Sequence, residues 1–156
     1  MADRELFFDI NGFSKHIDTP DELSGQFEYN EENPGFGITA ETNGNSFIKS
    51  LMAGGYKNSY GKPSYYAGGA LGKRFGDEYY MDVGGFGGVT TGYGDIERTY
   101  RDSKGRLRKY ESPYNDINPM AGIYMNLGKK DLGRLGLKYM PGKPNLFMMN
   151  LGIPFK

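Results

Sequence analysis

The sequence predicts an all-β fold, a single-domain eight-stranded antiparallel up-and-down transmembrane β-barrel covering residues 1–156. Three observations predict it. Apolar and polar residues alternate with a period of two, the period of a strand with one face in each of two environments. Breaker residues cut this alternation into eight runs. The long connections between runs, the first and fifth, fall at one end of the strands together with the short third and seventh, and the other end carries short turns, as in barrels of outer membranes.

The first four strands fall at about 6–16, 35–43, 47–57 and 64–73, with the weaker alternation. The fifth sets Tyr79, Met81, Val83, Gly85 and Val89 against Glu78, Tyr80, Asp82, Gly84 and Phe86. In the sixth, Pro119, Ala121, Ile123, Met125 and Leu127 oppose Asn118, Met120, Gly122, Tyr124 and Asn126. The seventh alternates Leu135, Leu137 and Tyr139 with Arg134, Gly136 and Lys138. The eighth places Phe147, Met149, Leu151, Ile153 and Phe155 on one face, with Asn150 and Gly152 on the other. Asn43-Gly44-Asn45, Gly61-Lys62-Pro63, Gly76-Asp77, Gly128-Lys129-Lys130 and Pro141-Gly142-Lys143-Pro144 break the runs. The long connections are an acidic one at about 17–34 and a charged one at about 94–114.

A soluble barrel would turn the apolar face inward and a membrane barrel would turn it outward. The membrane version is favoured here. The apolar face of the last four strands carries no charge at its centre, and the opposite face mixes Asp, Arg, Lys, Asn and Tyr that can pair inside a narrow barrel. The chain also ends one residue after Phe155, like the terminal aromatic of outer-membrane strands.

Composition excludes other classes. The chain has no cysteine, which removes disulfides and thiolate metal sites, and one histidine, which argues against structural zinc. Lys+Arg and Asp+Glu balance at 19 each, so no basic excess points to nucleic acid. No run approaches the roughly 18 apolar residues of a membrane helix. The mean hydropathy of −0.64 is what alternating strands average to. Met1-Ala2-Asp3 resembles a start residue placed before a mature N-terminus, so an export signal is expected to have been removed. No cofactor is expected.

His16, the only histidine, ends the first strand, and Ser59 lies at the top of the third. Both fall on the long-loop rim, where a base and a hydroxyl can act together if they are within hydrogen-bond reach. Spacing alone favours the plainer reading, a solvated histidine and a turn serine. The first-loop carboxylates Asp18, Asp21, Glu22, Glu28, Glu31 and Glu32 suit a hard divalent cation, and a solvated loop is the commoner outcome. Gly84-Gly85-Phe86-Gly87-Gly88 lies within a strand pattern and is no phosphate loop. Arg98, Arg101, Arg106 and Arg108 in the long fifth connection could meet phosphates of lipopolysaccharide.

Several short segments, taken in order, resemble the lipid A palmitoyltransferases. They are Tyr29-Asn30-Glu31 before Gly35 and Gly37, Lys57-Asn58-Ser59, Ala67-Gly68, Gly88-Val89-Thr90, Pro119-x-Ala121 and Tyr139-Met140-Pro141-Gly142. The resemblance implies an acyltransferase of the bacterial outer membrane, working as a monomer. It would move a palmitoyl or slightly shorter chain from a phospholipid donor to lipid A. It makes His16 the base, with Asn58 and Ser59 as catalytic partners. It makes Pro119 and Pro141 the edges of a lateral door, for which proline's missing N–H gives a physical basis. It places Ala70 at the floor of an acyl pocket, where a methyl group would shorten the preferred chain. The family has aspartate where this chain has Asn58 and proline where it has Asn11, and strand one leaves no room for the family's N-terminal helix. An amide can orient an imidazole but cannot stabilise its cation as a carboxylate does. A non-catalytic lipid-binding or structural barrel is the alternative.

Overall fold

In a computed structural model, residues 3–17, 31–44, 47–94, 97–101, 104–111, 115–141 and 145–155 are described. Strands β1 (Asp3–Ile17), β2 (Glu32–Gly44), β3 (Phe47–Lys57), β4 (Pro63–Phe75), β5 (Tyr79–Thr91), β8 (Ile117–Lys129), β9 (Gly133–Met140) and β10 (Asn145–Pro154) close into one barrel. Every neighbouring pair is antiparallel. Closure is made by β1 against β10, from Phe7↔Pro154 to Ile17↔Asn145. Closing the sheet removes the unpaired edges that an open sheet would expose.

The alternation resolves with the apolar face outward. Leu51 is 72% exposed, Leu71 65% and Ile123 62%. Their inward neighbours Ser50, Asp82 and Asn126 are buried. Water would penalise so much apolar surface, whereas lipid removes the penalty, so this is a membrane-spanning barrel. Charges on the outer wall stand near strand ends: Lys15 and Lys57 at the loop rim, Lys49, Lys73 and Lys129 at the turn rim. Aromatics accompany them, with Lys73 over Phe75 (5.3 Å) and Lys129 over Tyr79 (4.9 Å). Strands of 13 residues, as in β2, β4, β5 and β8, exceed the roughly 10 needed to cross a bilayer, so their ends project beyond the apolar band.

The lumen is layered. Towards the turn rim, Arg74 reaches Glu5 (3.3 Å), Glu41 (2.8 Å) and Asp82 (2.8 Å). Arg134 pairs with the other oxygen of Glu41. Their guanidinium groups lie 3.9 Å from the ring centres of Tyr80 and Phe7. This network forms a charged floor, and buried charges require such partners. Above it Met52, Ala70, Phe86 and Tyr124 make an apolar layer, with Tyr66 and Met140 packed against it. Lumen glycines make room for these rings: a Cβ on Gly72 would lie 2.2 Å from the Tyr124 hydroxyl. Nearer the loop rim, the inward-facing Met120, Met140, Leu146 and Met148 keep partial exposure. An inward side chain that stays accessible borders open space, so the upper lumen is a well, and its walls also carry Lys138, whose Nζ lies 3.9 Å from Met52 Sδ and 6.0 Å from the Phe86 ring centre.

One element departs from the sequence reading. The fifth connection contains a two-stranded hairpin, β6 (Glu97–Arg101) with β7 (Leu107–Glu111). Neither run alternates apolar with polar residues, so periodicity gives no signal. Cross-strand charge holds it instead: Lys109 Nζ lies 2.8 Å from Glu97 and 3.0 Å from Glu111.

Candidate functional site at the loop rim

His16 reaches the rim as the penultimate residue of β1, opposite Leu146 of β10. Strand β1 gains its position through an irregularity between Asn11 and Phe13, where the register shifts against both neighbours. Gly12 lies in that interval. Such a bulge re-aims the side chains beyond it, and it puts Ser14 and His16 on the inward side. Ser59 follows β3 in a tight turn. Its Oγ lies 3.0 Å from His16 Nε2, and the serine is buried. The two groups, 43 residues apart in sequence, are thus within hydrogen-bond reach on one rim. A hydroxyl against an imidazole nitrogen can pass or hold a proton.

Asn58 stands elsewhere than the sequence reading expects. Its side chain is fully buried and organises the turn. Nδ2 donates to Ser64 Oγ (2.9 Å) and to the Gly92 carbonyl (2.7 Å). Oδ1 accepts from the backbone N–H groups of Tyr60 and Lys62, both at 3.0 Å. Two donors and two acceptor positions are all that an amide offers. Asn58 therefore fixes the loop that carries Ser59 and has no N–H left for the ring or for an oxyanion. The turn is completed by Gly61, whose φ of +78° suits glycine. Asn58→Ala should strand these four partners and cost about 1–3 kcal/mol per group left unsatisfied. Urea unfolding in bilayers would measure it.

Sequence reasoning missed Asn33, which is buried in β2. It accepts from Ser14 Oγ and donates to the Lys57 carbonyl at 2.9 Å. One amide thus ties the strand carrying His16 to the strand end preceding Ser59. Tyrosines stand beside the serine turn: the Tyr56 and Tyr93 hydroxyls lie 2.9 Å apart, and Tyr60 meets Tyr93 edge-on at 6.1 Å. A buried asparagine and an unusual density of tyrosine were the only signals for these contacts, and neither specifies a partner.

The two prolines fall near the end of the described β8–β9 pairing. The β8–β9 register runs from Lys129↔Gly133 to Ile123↔Tyr139 and ends there. Strand β8 continues through Pro119 to Ile117, paired only with β5 among the described residues. Pro119 lies in the part of β8 beyond that described register, and Pro141 follows the last residue of β9. Ala70 lies in the apolar layer under the well, between Met52 and Phe86. Asp18, Asp21, Glu22, Glu28, Tyr29 and Asn30 lie outside the described residues, as does the side chain of Arg98.

A closed barrel with its greasy face outward and a paired histidine and serine at one mouth defines the class: an eight-stranded membrane β-barrel with a polar rim site. Two solved structures share this architecture. One is Ail, the attachment invasion locus protein of Yersinia pestis, solved in complex with the heparin analogue sucrose octasulfate. It aligns at a TM-score of 0.54 and 13% identity over 98% of this chain and 99% of its own. The other is Neisserial surface protein A, at a TM-score of 0.55 and 11% identity over 100% and 99%. At these identities the likeness concerns the fold. No protein-family model matches the chain, and no curated protein does.

Proposed function

We propose that the protein is a monomeric acyltransferase of the bacterial outer membrane that moves a fatty acyl chain from a phospholipid to lipid A. The single observation that carries this reading is the 3.0 Å contact of His16 Nε2 with Ser59 Oγ, above the lumen's apolar layer. The end of the described β8–β9 pairing at Ile123↔Tyr139 supports it, because a lipid chain needs a lateral way in. In this reading the acyl chain lies in the well and its ester carbonyl sits at the rim. His16 removes the proton of the acceptor hydroxyl, with Ser59 as its hydrogen-bonded neighbour. The acceptor oxygen attacks the carbonyl, the new ester forms, and the bond to the donor glycerol oxygen breaks. The imidazolium returns its proton to that oxygen, releasing a lysophospholipid.

Incubation of the purified protein with acyl-labelled phospholipid and lipid A tests this directly. Label should appear on lipid A together with an equal amount of lysophospholipid. Bound lipid without transfer would instead establish a carrier barrel, the reading that the engagement of Asn58 in its turn favours. The well also predicts chain selection. Ala70→Gly should lengthen the preferred chain and Ala70→Met should shorten it, read by mass spectrometry from a mixture of donors.

A further inference from the structure

We propose that the β6–β7 hairpin is an arm that lies on the headgroup layer beside the barrel and grips the phosphates of lipid A. The hairpin connects β5 to β8 at the loop rim. Its two glutamates, Glu97 and Glu111, stand at the base, its basic residues run from Arg98 to Lys109, and Asp102 falls between the strands in sequence. At the base, Lys109 bridges Glu97 and Glu111, and those two carboxylates hold its ammonium above the usual lysine range. At the tip stand Arg101, Lys104, Arg106 and Arg108, all exposed. Arg101 Nη1 donates to the Gly105 carbonyl at 3.1 Å. That bond curls the tip and uses one of the five N–H donors of a guanidinium.

The second observation is Leu107. It is 66% exposed, lies between Arg106 and Arg108 in sequence, and pairs across the ribbon with Arg101, whose face it shares, while Arg108 lies on the other face. A leucine set among guanidiniums gains nothing from a polyanion free in water. At a lipid surface both parts are satisfied, the leucine at the acyl boundary and the cations at the phosphates. Arginine suits this role because its planar fork binds a phosphate through two parallel hydrogen bonds. The partner is therefore an anionic lipid of the leaflet on the loop side. Under the outer-membrane placement above, the phosphorylated lipid there is lipid A. The inference rests on that placement and is independent of acyl transfer, because an arm can hold lipid A whether or not the rim site acylates it.

The chain contains no tryptophan, so Leu107→Trp gives a single fluorescent reporter. The probe is the full-length protein in phosphatidylcholine bilayers containing bisphosphorylated lipid A. The expected result is a blue-shifted emission that rises with lipid A content and fades with salt. In Arg101→Gln/Arg106→Gln/Arg108→Gln the half-saturating lipid A content should rise about tenfold or more, since each basic residue at an anionic surface contributes on the order of 1 kcal/mol. Dephosphorylated lipid A should give no shift. The same emission in phosphatidylcholine alone, or a shift indifferent to the three arginines, would overturn the proposal. So would an equal shift with a soluble sulfated polysaccharide and no lipid. Slower migration after boiling on a gel confirms that each variant barrel is folded. A missing transfer activity with an intact emission shift would sink the acyltransferase reading alone.

Discussion

Replacing His16 with alanine should abolish acyl transfer and leave the barrel folded. A positioned acid–base group contributes about 10²–10⁴-fold to rate, and this chain has no second histidine to substitute. The ring packs at the rim, above the apolar layer and away from the charged floor, so its loss removes little of what holds the strands. Ser59→Ala tests the partnership separately. If Ser59 only steadies Nε2, its loss should lower kcat by a smaller factor than the loss of His16 and leave KM unchanged. If the hydroxyl itself carries the acyl group, the two variants should be equally inactive. The comparison requires the labelled-lipid assay and a heat-shifted gel on the same preparations. Full activity in His16→Ala would end the catalytic proposal.

A second large effect on stability should come from Glu41. Its two oxygens serve Arg74 and Arg134, so Glu41→Gln removes the charge between two guanidiniums in the closed part of the lumen. Breaking a buried ion pair from one side costs about 3–5 kcal/mol, because the remaining charge keeps its desolvation penalty without its partner. Asp82 and Glu5 stay near Arg74, whereas Arg134 has no other ion pair among the described residues. The prediction is therefore a lower urea midpoint in bilayers with unchanged slope. Arg134→Met in the Glu41→Gln background should recover part of the loss, since an apolar side chain of similar length brings no charge to satisfy. An unshifted midpoint in the single variant would mean that water already reaches the floor.

Period two made the barrel legible. Eight alternating runs and the residues that break them gave strand positions within a few residues, and the direction of the faces followed from where charges were missing. Other features were not local. The β6–β7 hairpin, Glu-Arg-Thr-Tyr-Arg against Leu-Arg-Lys-Tyr-Glu, lies outside any apolar alternation and is held by charge across the ribbon. Asn33 joins Ser14 to Lys57 across three strands, a closure no window of sequence can display. Asn58 sits at the position where the resemblance predicts a group on the ring, yet its amide is consumed by bonds to Tyr60, Lys62, Ser64 and Gly92. Only the three-dimensional path of the turn decides between those roles.

The pairing of β1 with β10 makes the first strand wait for the last during synthesis. Until residues 145–154 have been made, β1 has no partner on one side and β9 ends in a free edge. Such edges template aggregation. A nascent chain of this architecture must therefore be kept unfolded until its end is complete, and a message broken before the final strand would yield a product that clumps instead of inserting.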